Sequence, residues 1–390
     1  MPRLHPFVGL RFDPARVGSF ERVTAPPYDV ISSGEHARLL AASPYNVIRL
    51  DLGRIPGRFE NDDQRYDDAA RELRAWREDG ILVPTPTPAY YPYEMRFSLH
   101  GRRRRVRGVL GAVELEEFGN GIVPHERTMA GPVTDRLRLL RAMRANLSSV
   151  YAVFEGPSRE LAAWLDDAAA GEPDAELVDV DGVEHVMWTA DPQPGVAGTL
   201  DGVSLLIADG HHRYATALRY RKEQRAELGP GPWDLAMMFV VDATLEQPPV
   251  LPYHRIQVAG EAPTAGSRVR DLEEVLESVD DDKLLYGVVT WEDGALVHRV
   301  DEVTGRPPVV CRLHEQQLAG ADDRLRYTPD AVAAEAAVRG RQAVAAYLLP
   351  ATDAVTIRTV VDAGAKLPQK STFFWPKPRT GLVIRPHELD

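Results

Sequence analysis

Hydrophobic positions recur along this chain in two alternating rhythms, one strand-like and one helix-like. Residues 23–30 are Pro-rich and read as extended chain, because a residue ahead of proline avoids the helical region. Residues 46–52 alternate as a strand does. Tyr66, Ala70, Leu73 and Trp76 lie at helical spacing across residues 62–79, and Gly80 ends that run. Residues 90–99 and 106–115 predict a β-hairpin. Thr134 reads as the cap of a helix carrying Leu137, Leu140, Met143 and Leu147. A strand over residues 150–154 and a helix through Leu161, Trp164, Leu165 and Ala168 follow.

Residues 202–208 form a compact apolar run that ends at Asp209-Gly210. A helical pattern starts at once, near His211, and continues to Leu228, where Gly229-Pro230-Gly231-Pro232 stops it. Residues 235–242 are a strongly apolar strand, and residues 259–266 have the composition of a linker. Beyond it, residues 284–300 predict a second hairpin around Glu292-Asp293-Gly294, and residues 331–348 an alanine-rich helix. The alternation of strands and helices predicts an α+β (mixed α/β) architecture. The expected division is a core over residues 1–258 and a C-terminal α/β subdomain over residues 259–390 that packs back on it.

Composition narrows the function classes. The 390 residues are 44% hydrophobic and 27% charged, enough for a real core. The formal net charge of -12 opposes general nucleic-acid binding, since such a surface repels a phosphate backbone. The one cysteine, Cys311, excludes an internal disulfide and a cysteine-rich metal cluster, and its neighbours Val309 and Val310 predict a buried strand residue. No apolar stretch approaches the roughly 20 residues of a membrane span, and the N-terminus lacks the apolar core of a signal peptide. The expected compartment is therefore the cytoplasm. Only five lysines occur, and Lys366, Lys370 and Lys377 fall in the last 25 residues. In an arginine-rich chain that clustering suggests a use for compact ammonium charges near the C-terminus, although chance clustering gives the same pattern.

Three segments carry candidate chemistry. In Asp209-Gly210-His211-His212-Arg213, glycine permits a tight strand-to-helix turn, and the helix start offers N–H groups and a positive dipole end to an anion. Arg213 and the histidines add donors, while Asp209 has the chemistry to orient a hydroxyl or to hold Mg2+. A zinc centre on His211 and His212 is disfavoured, because adjacent helical residues point about 100° apart. In Pro124-His125-Glu126-Arg127-Thr128, followed by Asp135-Arg136, a loop carboxylate beside a histidine has the chemistry of a general base. Simple surface polarity is the commoner explanation of such a loop. In Lys370-Ser371-Thr372-Phe373-Phe374-Trp375-Pro376-Lys377, hydroxyls and lysines suit a nucleotide and the aromatics suit a buried strand. The run Arg102-Arg103-Arg104-Arg105 is either a phosphate patch or, more commonly, a solvated hairpin end.

Together with Pro27-Tyr28-Asp29-Val30-Ile31, Asn46-Val47-Ile48-Arg49-Leu50 and Leu251-Pro252-Tyr253-His254-Arg255, these segments resemble the domain-of-unknown-function family numbered 1015. The order Pro-His-Glu, then Asp-Gly-His-His-Arg, is also similar to the free serine kinases of the ParB/sulfiredoxin superfamily. That resemblance implies a ParB/sulfiredoxin-like phosphate-binding core with an additional mixed sheet and helices. It implies an ATP- or ADP-dependent kinase acting on a small hydroxyl compound, with L-serine and O-phosphoserine as the leading substrate and product. Glu126 would be the base and Asp209 a second catalytic group and Mg2+ ligand. Gly210, His211, His212, Arg213, Lys370, Ser371 and Thr372 would hold the nucleotide, and His125, His254 and Arg255 the acceptor. Two other readings use the same residues: a CTP-binding switch like the ParB proteins, and a phosphohydrolase or nuclease. The switch would call for a DNA-binding helix-turn-helix and a basic face, neither of which the sequence carries.

Overall fold

The computed structural model describes residues 2–55, 63–126, 130–156 and 158–388. Arg127 and Thr128 lie outside the described residues. The fold is mixed α/β, and the chain divides into two compact units. The first comprises Met1–Pro124, Thr128–Pro248 and Pro376–Asp390; the second comprises His125–Arg127 and Pro249–Trp375.

The first unit is built on a nine-stranded sheet. Its strands in chain order are β1 (Leu4–His5), β2 (Tyr91–Leu99), β3 (Arg102–Glu114), β4 (Ile122–Pro124), β5 (Val150–Phe154), β6 (Ala175–Val178), β7 (Glu184–Met187), β8 (Leu205–Asp209) and β9 (Leu235–Asp242). Across the sheet the order is β4-β8-β5-β9-β3-β2-β7-β6, with β1 pairing with β3. The β4–β8 and β5–β9 pairs are parallel and the remaining pairs antiparallel. Every residue of β5, and all of β9 after Leu235, is buried, so these strands read as continuous apolar runs covered on both faces.

Four helices of this unit matter below: α1 (Asp63–Glu78), α2 (Ala130–Met143), α3 (Arg159–Ala169) and α4 (His211–Leu228). Leu161, Trp164 and Leu165 of α3 join Tyr214 and Ala217 of α4 in one core with Val150, Ala152, Ile207 and Met238 of the sheet. A second core gathers Tyr66, Leu73 and Trp76 of α1 with Leu10, Val47, Ile48 and Ile384. The last described residues belong to this unit: Thr380 bridges Ala25, Ile384 bridges Leu10, and Arg385 pairs with Asn146.

The second unit holds a six-stranded sheet, antiparallel throughout. Its strands are β10 (His254–Gln257), β11 (Ser267–Val269), β12 (Leu285–Glu292), β13 (Ala295–Glu302), β14 (Leu325–Thr328) and β15 (Ala345–Leu348), in the order β11-β13-β12-β15-β10-β14. Val275, from the helix Leu272–Ser278, and Ala334 and Val338, from the helix Ala331–Arg339, cover one face of it against Val289, Ala346 and Leu348. Phe373 and Phe374 form a two-residue ladder with Leu251 and Val250 and are buried.

Several local expectations change. Residues 46–52 are not a strand: Ile48–Asp51 is a short helix, because Asn46 Oδ1 accepts from Ile48 N–H (2.9 Å) and its amide is tied to the Arg22 and Thr24 carbonyls. Thr134 lies inside α2 rather than at its cap. Cys311 lies in the helix Val309–Gln316 and is only half-buried. The alanine-rich run stops as a helix at Gly340 and resumes as β15. Residues 259–266 join β10 and β11 within one sheet and so connect no two units.

Candidate functional site

The Asp209 turn lies wholly in the first unit. β8 shifts register against β5 between Ile207 and Asp209, an irregularity that re-aims the strand end. Gly210 then takes φ 89° and ψ 28°, a left-handed conformation open to glycine at no cost, and serves as the N-cap of α4. Having no side chain, it offers no acceptor to the first N–H groups of the helix. A Cβ at position 210 would sit 3.0 Å from the Arg213 guanidinium. The helix start is fixed from below by Tyr214, whose buried hydroxyl donates to the Glu116 carbonyl (2.8 Å) and accepts from the Glu116 N–H (2.9 Å).

Asp209 is 8% exposed and receives a cation on each oxygen. Arg213 donates to Oδ2, and Lys377 donates to Oδ1. Arg213 also donates to the Ser149 carbonyl, one residue ahead of β5. Burial, with the nearby Asp209 carboxylate adding to it, pushes the Tyr151 phenol well above its usual range. His211 is buried on the first turn of α4, while His212 is half-buried. Lys377 is held in place from its own chain segment: the Arg379 N–H donates to Tyr93 Oη (3.1 Å). Tyr93 Oη in turn meets His185 Nδ1 (2.7 Å), and His185 Nε2 meets Asp179 Oδ2 (3.0 Å).

In the second unit, Glu126 meets the Lys370-Ser371-Thr372 loop. Its Oε2 accepts from the Lys370 N–H (3.0 Å). Its Oε1 accepts from the Ser371 N–H (3.0 Å), the Thr372 N–H (2.9 Å) and the Thr372 hydroxyl (2.9 Å). Lys370 has φ 53°, the left-handed residue that turns successive N–H groups toward one point. His125, fully buried, shares a hydrogen between Nε2 and Thr372 Oγ1 (2.7 Å).

Arg255 is likewise fully buried and points at the same loop, with Nη2 3.4 Å from the Gln369 carbonyl and 3.5 Å from Ser371 Oγ. Its other donors go to the Tyr253 carbonyl and to His314 Nε2 (3.1 Å). Burial pushes its pKa down to about 10, with Tyr327 and Glu126 opposing the shift. His254 accepts from the Leu349 N–H through Nδ1 (3.1 Å), and burial, aided by Arg255, pulls its pKa down to about 4.

Within the first unit the structure gathers Asp209, Gly210, His211, His212 and Arg213; within the second it gathers Glu126, His125, Arg255, Lys370, Ser371 and Thr372. His254 sits behind the second group as a β10 residue. Lys377, noticed in the sequence for its charge, is the third member of the Asp209 cluster. Ser149, Tyr151 and Tyr93 gave no signal in the sequence, since a backbone carbonyl and buried tyrosines carry no local pattern. The basic run 102–105 joins neither cluster: its side chains are exposed, with Arg105 on Glu246 and Arg104 on the Gln247 carbonyl.

A family model described as "Protein of unknown function (DUF1015)" matches residues 4–316. The chain belongs to the DUF1015 family. Both Glu126 and the Asp209 turn of this DUF1015 protein lie inside the matched span, whereas Lys370, Ser371, Thr372 and Lys377 lie beyond it. No curated protein matches the chain. Among solved structures, it is similar to a conserved hypothetical protein from Pyrococcus furiosus, at 14% identity and TM-score 0.37, over 67% of this chain and 93% of that one. A free serine kinase in complex with AMP is similar at 13% identity and TM-score 0.36, over 67% and 89%. SbnI with C-terminal truncation from Staphylococcus aureus is similar at 10% identity and TM-score 0.36, over 70% and 87%. Likenesses this distant leave the chemistry of the DUF1015 protein to be argued from its own residues. Among the described residues, no helix is long and apolar enough to cross a membrane.

Proposed function

We propose that this DUF1015 protein is a cytoplasmic, nucleotide-dependent phosphotransferase that phosphorylates a small hydroxyl compound, with L-serine as the first acceptor to test. One observation carries the reading. Two cationic side chains converge on the single carboxylate of Asp209, one residue ahead of the glycine cap that starts a long helix. Converging donors of this kind suit an anion, and a phosphate has more acceptor atoms than the carboxylate they now share.

The bound nucleotide, ATP or ADP by the motif resemblance, would supply the phosphoryl group. Arg213 and Lys377 would hold phosphate oxygens, and the positive end of α4 favours the same charge. Placed in a site only about a tenth exposed, these donors act with little competition from water. Asp209 keeps both cations aimed. Glu126 would receive the acceptor's hydroxyl proton, and His125, His254 and Arg255 would hold the acceptor, in the roles the motif resemblance gives them.

Magnesium at Asp209 does not fit this arrangement. Both carboxylate oxygens already accept from cations, and a divalent ion would have to displace them. Among the described residues, no group of three or more His, Cys, Asp or Glu side chains is placed to hold a metal ion.

The test is direct. Purified protein incubated with magnesium and ATP, or with magnesium and ADP, together with pooled amino acids should yield a phosphorylated product detectable by mass spectrometry. The Arg213→Ala variant should yield none. Equal product from that variant, or no phosphoryl transfer to any hydroxyl compound, overturns the reading.

A further inference from the structure

We propose that the Lys370-Ser371-Thr372 loop is itself an anion-binding site for a phosphate group, and that Glu126 fills it as an internal stand-in. Three consecutive backbone N–H groups and one hydroxyl converge on one carboxylate, with four contacts between 2.9 and 3.0 Å. The left-handed Lys370 makes that convergence possible. A side chain 244 to 246 residues away in sequence is what occupies it.

A second observation points the same way. Arg255 is fully buried, yet among the described residues it forms no ion pair; its hydrogen bonds go to carbonyls, a hydroxyl and an imidazole. A buried cation without a carboxylate in contact is costly unless an anion comes to share the site. Glu126 acts on it through space, and the two share Ser371: Glu126 accepts from its N–H and Arg255 donates to its hydroxyl. A phosphate in the loop would bring two or three acceptor oxygens to the donors that Glu126 now satisfies, and would bring its charge to Arg255. Displaced from the loop, Glu126 would be released for proton transfer, so that arrival of a phosphate and exposure of the base become one event.

The coupling to proton transfer rests on the phosphotransferase reading; the site itself does not. The test uses the full-length, 15N-labelled protein in the Arg213→Ala background, where the helix-end site is removed. Inorganic phosphate, pyrophosphate and ADP are titrated separately while the amides of Lys370, Ser371 and Thr372 are followed. All three amides should shift, and Glu126→Ala should tighten phosphate binding by about tenfold, because the internal competitor is gone. Glu126→Gln, which keeps one carbonyl acceptor, should give a smaller gain and serves if the alanine variant does not fold. A response to inorganic phosphate points to a free anion, and a response to ADP alone to a nucleotide-borne one; either supports the site. Amides that stay still with all three anions, in both Glu126 variants, overturn it. Phosphate-induced shifts at residues 211–213 of the wild-type protein report on the helix-end site separately, so either proposal can fail alone.

Discussion

Lys377 donates to Asp209 across 168 residues of sequence, on the carboxylate oxygen that Arg213 leaves open. The two cations are thus not interchangeable: the arginine comes from the first turn of α4, and the lysine from a strap pinned elsewhere in the sheet. Replacing Lys377 with alanine should lower affinity for inorganic phosphate or ADP by about tenfold, the loss expected for one charge-assisted contact. Calorimetric titration checks it, and unchanged affinity would remove Lys377 from the site.

Asp209→Asn separates holding from aiming. The variant frees both cations from their shared carboxylate, so phosphate affinity should rise several-fold. Turnover should fall by about tenfold or more, because the donors are no longer fixed in one geometry. A parallel fall in affinity and turnover would instead mean that Asp209 only keeps the turn folded.

Glu126→Gln is nearly isosteric but cannot take a proton. Turnover should drop by about 10²–10⁴ while nucleotide affinity stays within a few-fold or improves. Rates within a few-fold of wild type would take the base role away from Glu126.

Tyr93→Phe tests the strap from its other end. The variant removes the hydroxyl that accepts from Arg379 N–H and meets His185. Thermal stability should fall by about 1–3 kcal/mol, since His185 and the Arg379 amide lose a buried partner. Phosphate affinity should also weaken through Lys377, two residues upstream. A stability loss with full affinity would mean that other contacts hold the strap.

His254 sets a stability window in pH. Its folded pKa lies near 4, below the ordinary value of 6.5, so the unfolded chain binds the extra proton first as pH falls. Stability is therefore undiminished above about 6.5 and is lost as pH drops toward 4. Between pH 7 and 4.5 the wild type should lose roughly 2–3 kcal/mol more than His254→Asn in urea titrations. Equal losses would show that the imidazole is already charged in the folded state.

Local chemistry makes the central strand–turn–helix legible in the sequence. Gly210 and the Gly229-Pro230 stop bracket α4 at the residues where it begins and ends, and β5 and β9 stand out as unbroken apolar runs. Where a distant or side-chain contact decides the backbone, the pattern misleads. Asn46 turns an alternating run into a helix by accepting from the N–H of Ile48, its first residue. Gly340 ends an alanine-rich helix so that the rest can pair with β10 and β12. The pairings of Glu126 with residues 370–372 and of Asp209 with Lys377 join segments far apart in the chain. Neither leaves a trace in local periodicity, although the unusual lysines at the C-terminal end marked one partner of each.

The return of residues 376–388 to the first unit has a consequence for how the protein is made. Translation delivers β8 and α4 long before Lys377, which follows Asp209 by 168 codons. At about 5–20 residues per second, that gap is roughly ten to thirty seconds. Throughout it, the nascent chain can pair Asp209 with Arg213 only, and the strap under Tyr93 does not yet exist. The second cation follows the first at that distance, so the helix-end site is completed only after residues 249–375 of the second unit have been synthesised.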